Sequence, residues 1–270
     1  MKKILCTILA MIMVAMCLGA CSSKSGQTSY DDLAIACELT SEEYGIGFRK
    51  GSDLVAEVNA IIDEITADGT LTALAEKYEL TLVENAEPKS NDEETIADLD
   101  YIKENGKLVI GITEYAPMNF KDTEGEWTGF DTEFAIAVCE KLGVEAEFVE
   151  IDWDNKFLAL EAKSIDCIWN GMTISEEVLN NTSCSKEYVK NAQVVVLAKD
   201  KLEQYKTPAD MKDLTFAVEA GSAGATAADD NGFDKVEVGT QTDALLEVTS
   251  GSSDACIIDI TMANSMLGSK

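Results

Sequence analysis

Apolar positions in this chain cluster in short runs separated by amphipathic stretches, the alternation expected of strands and helices taken in turn. Leu33–Cys37 (LAIAC) and Tyr44–Phe48 (YGIGF) read as two short strands. Ser52 or Asp53 then caps a helix whose apolar positions Leu54, Val58, Ile61, Ile62 and Ile65 recur at three and four. Asp68-Gly69 breaks that helix, and Thr70 restarts one through Leu71, Leu74 and Tyr78. A polar, acidic stretch at 83–99 reads as a linker. From Leu108 to Ile260 hydrophobic strands alternate with helices, which argues for largely parallel sheet. Within it Val144, Ala146 and Phe148 alternate as in a strand exposed on one side.

The beginning of the chain has a different pattern. Lys2 and Lys3 precede an apolar run from Ile4 to Leu18, short for a membrane span and typical of a secretory leader. Leu18-Gly19-Ala20-Cys21 looks like a lipoprotein processing box, with cleavage before Cys21 and a polar tether from Ser22 to Ser29. An acylated Cys21 would hold the protein at the membrane surface without spanning it. The alternative is an ordinary signal peptide that contains a cysteine.

A net charge of −29 makes nucleic acid and anionic lipid poor partners, since both reward clustered Lys and Arg. Beyond Cys21 the cysteines are Cys37, Cys139, Cys167, Cys184 and Cys256. They form no C-x-x-C pair and the chain has no histidine, so neither a zinc site nor any other metal or cofactor is expected. Five is odd, so at least one thiol stays unpaired within the monomer. Cys139, on the apolar side of a helix, is the candidate. Export permits disulfides, with Cys167–Cys184 the preferred pair and isolated buried thiols the alternative.

Tyr115-Ala116-Pro117, Gly129-Phe130-Asp131 and Gly171-Met172-Thr173 are markers by which Lys107–Ser175 resembles the first lobe of the family 3 solute-binding proteins, receptors that feed polar amino acids to ABC transporters. Leu214–Asn264 and Asp32–Leu80 resemble further parts of the same family. The last of these blocks ordinarily ends the chain, whereas here it comes first. Circular permutation accounts for the order, with a gene fusion or an assembly error as alternatives. The resemblance implies an α/β, two-lobed periplasmic-binding-protein-like fold (type II), each lobe a mostly parallel sheet flanked by helices, here circularly permuted. The expected organisation is a signal peptide at 1–20, a tether at 21–30, lobe 1 from 41–82 and 100–192, and lobe 2 with the hinge strands from 31–40 and 193–270. Residues 83–99 are then the acidic linker.

The resemblance also assigns a cleft. Tyr115 and Trp153 match its two aromatic walls, and paired rings contribute roughly 0.5 to 1.5 kcal/mol each beyond area burial. Asn170, Gly171 and Thr173 match the segment that grips a ligand carboxylate through backbone N–H and hydroxyl. Thr173 competes for a second role, since Thr173-Ile174-Ser175-Glu176 has the form of a capping box. Ser222 and Ala223 lie in the turn Glu219–Gly224, where a helix start would complete the carboxylate site. Asp259 matches the acid that pairs with the ligand's ammonium group, with a helix N-cap as its alternative. The family's carboxylate-binding arginine should fall at position 178, which is Val178 here, and Arg49 is the one arginine in the chain. Either a lysine and backbone N–H groups replace it, or the ligand is not an ordinary α-amino acid. Glu114 and Glu219, if both face the cleft, would favour a cationic ligand.

The implied function is a lipid-anchored, extracytoplasmic, monomeric receptor. It would bind a small polar solute, an amino acid or related amine, and hand it to an ABC permease. Two alternatives stand beside it. One is an exported dehydratase-like enzyme of the same fold using Glu114, Glu219 or Asp259. The other is a non-transporting sensor or relic.

Overall fold

The computed structural model describes residues 29–90 and 95–267. The leader, Cys21 and most of the tether lie outside the described residues. No helix among those described is long and apolar enough to cross a membrane.

The chain opens with one continuous strand, β1 (Leu33–Arg49), where the apolar pattern predicts two. The polar stretch between the two runs remains in the ladder because its backbone pairs residue for residue with a later strand, from Thr40↔Gln193 to Glu43↔Lys190. Register slips at Ile35/Cys37, Glu38/Thr40 and Gly45/Gly47 bend and twist β1 so that it can serve two halves of a sheet.

Helices α1 (Leu54–Ala67) and α2 (Thr70–Lys77) follow, separated at Asp68-Gly69 as the pattern predicts. Neither expected cap works by the usual side-chain bond to the first turn's far N–H groups. Ser52 Oγ accepts from Leu54 N, and Asp53 Oδ1 accepts instead from Leu99 N at 2.9 Å, which ties helix α3 (Asp98–Asn105) to the start of α1. Next come β2 (Lys107–Ile112), the small hairpin β3 (Phe120–Lys121) and β4 (Trp127–Thr128), α4 (Phe130–Leu142) and β5 (Glu145–Glu150). Residues Trp153–Asn155 form a single tight turn before α5 (Lys156–Glu161). The chain continues through β6 (Cys167–Thr173), α6 (Glu176–Asn181), β7 (Thr182–Cys184) and β8 (Val189–Ala198). It closes with β9 (Thr215–Glu219), α7 (Ala223–Asn231), β10 (Asp234–Val238), α8 (Gln241–Ser250), β11 (Ala255–Asp259) and α9 (Ile260–Met266).

The strands form one path in the order β10-β9-β11-β8-β1-β6-β2-β5, with β7 paired to β1. Its two ends are parallel, as the alternation of strands and helices predicts: β10 and β11 flank β9, and β5 and β6 flank β2. The middle is antiparallel, because β8 and β1 are single passes that run in opposite directions between the halves. Helices α7 and α8 cover the β9–β11 half, and α4 covers β5 and β6. Helix α1 packs on α2 and α4, so the segment before the acidic stretch shares a core with the segment after it.

That core centres on Trp169, with Phe134 edge-on at 4.8 Å and Tyr188 at 5.3 Å from Phe134. In the other half Phe216 and Phe233 stack at 4.3 Å over Val218 and Ile257.

The cysteine expectation needs a correction. Cys37, Cys139, Cys167, Cys184 and Cys256 are all free thiols. Phe48 of β1 faces Cys167 on one side, while its neighbour Gly47 faces Cys184 on the other. Two strand spacings of about 4.8 Å therefore separate Cys167 from Cys184, beyond the reach of a disulfide. Cys139 is buried in α4, and burial pushes its thiol up to about 12.

Candidate functional site

Both halves of the sheet present their strand ends to one cavity of about 150 Å³, and this is where the sequence-predicted residues gather. Tyr115, Trp153, Asn170, Gly171 and Thr173 line it from the β2–β6 half, and Glu219, Ser222, Ala223 and Asp259 from the β9–β11 half. Val178 lines it too, 4% exposed, so the position where the resemblance expects an arginine does face the cavity.

Glu114 is the exception. It is exposed and borders a separate surface recess with Glu150 and Asp243, because Thr113 and Tyr115 on either side of it turn inward.

The two aromatic walls are held differently. The Tyr115 hydroxyl lies 2.5 Å from the Tyr44 hydroxyl and bonds to Thr261, so the ring is fixed between β1 and α9. Trp153 sits in the tight turn after β5, whose Asp152 side chain accepts from Asp154 N. Lys156, one turn later, places its ammonium 5.1 Å from the Trp153 ring centre, at cation–π range.

Three of the predicted contacts take other roles. Asn170 Oδ1 accepts from both Thr113 N and Thr113 Oγ1, and its Nδ2 donates to Thr113 O and Asn119 Oδ1. Its amide is thus spent on bracing the loop after β2. The Gly171 N–H donates to Asp131 Oδ2 at 2.6 Å and does not point to a ligand. Glycine is needed there because φ is +55° and a Cβ would sit 2.6 Å from the Tyr115 ring. Thr173 does not cap the following helix. Ser175 does, accepting from Val178 N, while Thr173 Oγ1 donates to Glu42 Oε1 at 2.7 Å.

In the other half Ser222 caps α7, accepting from Ala225 N, and the N–H groups at the start of that helix have no intrahelical acceptor. Gly221 just before it has φ +67°, and a Cβ there would meet the Asp154 backbone at 2.8 Å. The glycine lets the two halves touch, and Lys156 Nζ bridges them by donating to Gly221 O at 2.7 Å.

Asp259 ends β11 without capping α9 through its side chain. It accepts from Asn191, Gln193 and Gln241. Glu42 accepts from the same Asn191 and Gln193. Burial, then the neighbouring Glu42 carboxylate, pushes Asp259 up to about 7, against the opposing hydrogen bonds from Gln241 and Asn191. Glu219 is 4% exposed, and burial followed by the charge of Asp259 pushes it up to about 8. Lys156 is displaced the other way, its ammonium disfavoured by burial despite nearby Glu177 and Glu219.

Sequence reasoning did not single out Glu42, Lys156 or Gln241. Thr40 and Glu42 lie two apart on β1 and so on one face, but only the pairing with β8 makes that stretch a strand. Lys156 follows Trp153 by three residues, one turn along, but only the fold shows that turn to be inside the cleft. Among the described residues no group of three or more His, Cys, Asp or Glu side chains is placed to hold a metal ion.

Residues 108–262 match the model of the bacterial extracellular solute-binding proteins, family 3. The chain is 33% identical over 125 residues to the L-cystine-binding protein TcyJ of Escherichia coli, covering 46% of this chain and 47% of that protein. It is 28% identical over 155 residues to the L-arginine-binding protein of Pseudomonas aeruginosa, covering 56% and 60%. It therefore spans about half of the first relative's length and under two thirds of the second's. Among solved structures, holo ArgBP from T. maritima superposes with a TM-score of 0.58 at 34% identity, covering 62% of this chain and 74% of that one. The ancestral amino acid-binding protein AncCDT-1, a precursor of cyclohexadienyl dehydratase, superposes at 0.55 and 30% identity, covering 61% and 74%. Matched over more than half its length by the family's model, this chain belongs to the bacterial extracellular solute-binding proteins, family 3.

Proposed function

We propose that the protein is an extracytoplasmic receptor that closes on a small polar solute, an amino acid or related amine, and delivers it to an ABC permease. The observation that carries this reading is the cavity itself: Trp153 and Tyr115 supply aromatic walls from one half, and Asp259 an acid from the other. The relatives' printed names, cystine- and arginine-binding, fall in the same solute class. Lys156 and Val178 both line the cavity, as do Ser222 and Ala223 at the start of α7, where backbone N–H groups could meet a carboxylate.

The order of the chain is read as a circular permutation. In support, β1 completes the middle of the sheet from the start of the chain, and α1 and α2 pack on α4 across the acidic stretch.

Unfolding temperature measured with a panel of amino acids and amines tests the receptor reading, because a solute that binds only the native state raises it by mass action. At least one solute is expected to raise it in the wild type. Trp153→Ala should weaken that solute roughly tenfold, the worth of about 1.4 kcal/mol, with far-UV circular dichroism unchanged. A gene reordered to run 97–267 and then 31–90 should keep the response. A panel with no response from any solute would reject the receptor.

Anchoring is a separate matter. We assign it to an acylated Cys21, so Cys21→Ala should move the protein from the membrane fraction to the medium. Wild-type protein found soluble with an unmodified Cys21 would reject the anchor.

A further inference from the structure

Glu219 is the one buried acid of the cavity left with an unanswered acceptor. Its side chain is buried and lines the cavity, yet Oε1 has no hydrogen-bond partner. Asp259, by contrast, accepts at both oxygens, and Glu42 accepts from four side chains. A buried acceptor left bare costs roughly 1 to 3 kcal/mol, more when charged, and a bound donor would remove that cost.

The charge balance points the same way. Glu42, Glu219 and Asp259 converge on a space whose lining holds one cation, Lys156, and Lys156 donates away to Gly221 O and Trp153 O. The remaining titratable groups of the lining are Glu177 on α6 and Asp230 on α7, both exposed acids, and Tyr115. None of them supplies a positive charge to the cluster.

We propose that Glu219 is a second cation subsite: besides the group that meets Asp259, the solute carries another cationic N–H donor that reaches Glu219 Oε1. The solute class is therefore one with two cationic nitrogens, a basic amino acid or a diamine, in preference to a neutral or acidic amino acid. This inference rests on the receptor reading above and narrows it. It also makes binding proton-linked, since a dication entering the cavity displaces protons that Glu219 and Asp259 hold when the cavity is empty.

The test compares L-lysine, cadaverine and L-norleucine by calorimetric titration at pH 7, norleucine being lysine without its side-chain charge. Wild-type protein should bind lysine or cadaverine at least tenfold more tightly than norleucine, and Glu219→Gln should bring that ratio close to one. Lysine above cadaverine, or cadaverine above lysine, supports the subsite equally and separates the two sources of the second cation. A second measurement on the wild type does not depend on the variant folding. Apparent binding enthalpies in phosphate and in Tris should differ, because protons are released to the buffer. Norleucine or other neutral amino acids binding as tightly as lysine, or equal enthalpies in the two buffers, would overturn the subsite while leaving the receptor intact. No binding by any solute of the wider panel would remove the receptor reading, and the subsite with it.

Discussion

Arg49→Leu is expected to lower the unfolding free energy by about 3 to 5 kcal/mol, the usual cost of breaking a buried ion pair from one side. Arg49, 5% exposed at the end of β1, gives Nε to Asp98 Oδ2 and Nη2 to Asp166 Oδ1, each at 2.9 Å. Nη1 donates to Ile165 O at 2.8 Å. Removing the guanidinium leaves buried Asp166 without its cation and buried Asp98 with only Lys163, 4.0 Å away, and Asp166 Oδ2 holds the Val109 N–H of β2 as well. One side chain thus ties β1 to α3, to the loop before β6 and, through Asp166, to β2. Arg49→Lys should recover only part of the loss, since an ammonium is a point charge and cannot span both partners in the planar geometry of a guanidinium. Urea unfolding at pH 7 measures the change, and a loss under about 1 kcal/mol would show that the cluster relaxes or admits water.

Solute-free protein is expected to become less stable as the pH rises from about 4 to about 8, by an amount on the order of a few kcal/mol. Burial is the first cause in each of the groups responsible, pushing Glu219 up to about 8 and Asp259 and Asp131 up to about 7. A carboxyl whose pKa is higher in the folded than in the unfolded chain binds its proton more tightly when folded. Its contribution to stability is therefore fully present below the unfolded value, near 4, and disappears as the pH climbs through the folded one. Exposed acids with lowered pKa values act in the opposite sense, but solvent screens them. Glu219→Gln with Asp259→Asn isolates the effect. The double variant's unfolding midpoint should rise relative to wild type between pH 5 and pH 8.5, and a difference constant across that range would refute the assignment. Added solute should flatten the wild-type dependence, because a bound cation takes over from the protons.

Much of the secondary structure was legible in the periodicity, since it depends on local spacing. Helix α1, the break at Asp68-Gly69, α2 and the alternation after Leu108 all follow from where apolar side chains recur. The polar stretch inside β1 was not legible. Nothing local makes Glu38–Glu43 a strand, and its pairing with β8 comes from a partner some 150 residues further along the chain.

The site divides in the same way. Trp153, Ser222, Ala223, Glu219 and Asp259 stand in segments whose motifs mark strand ends and helix starts, and the cavity contains them all. Misreadings came where one residue had two feasible partners. The Gly171 N–H is held by Asp131, and the Thr173 hydroxyl, for which spacing allows either a ligand or its own helix, is held by Glu42. Glu114 and Glu219 looked alike in sequence, each an acid just after or at the end of a strand, and fell on opposite sides of the wall.

The sequence by itself determined the order of strands and helices, the family's motifs and the absence of the arginine at Val178, because each is a matter of residue type and spacing along the chain. Only the tertiary structure decided that Lys156 is the cation in the cavity, that Glu42 stands beside Asp259, that Arg49 is buried between two aspartates and that Cys167 and Cys184 cannot join. Each of those facts is a distance between segments remote in sequence. Such distances depend on how β1 passes between the two halves of the sheet, and no local preference of the chain encodes that.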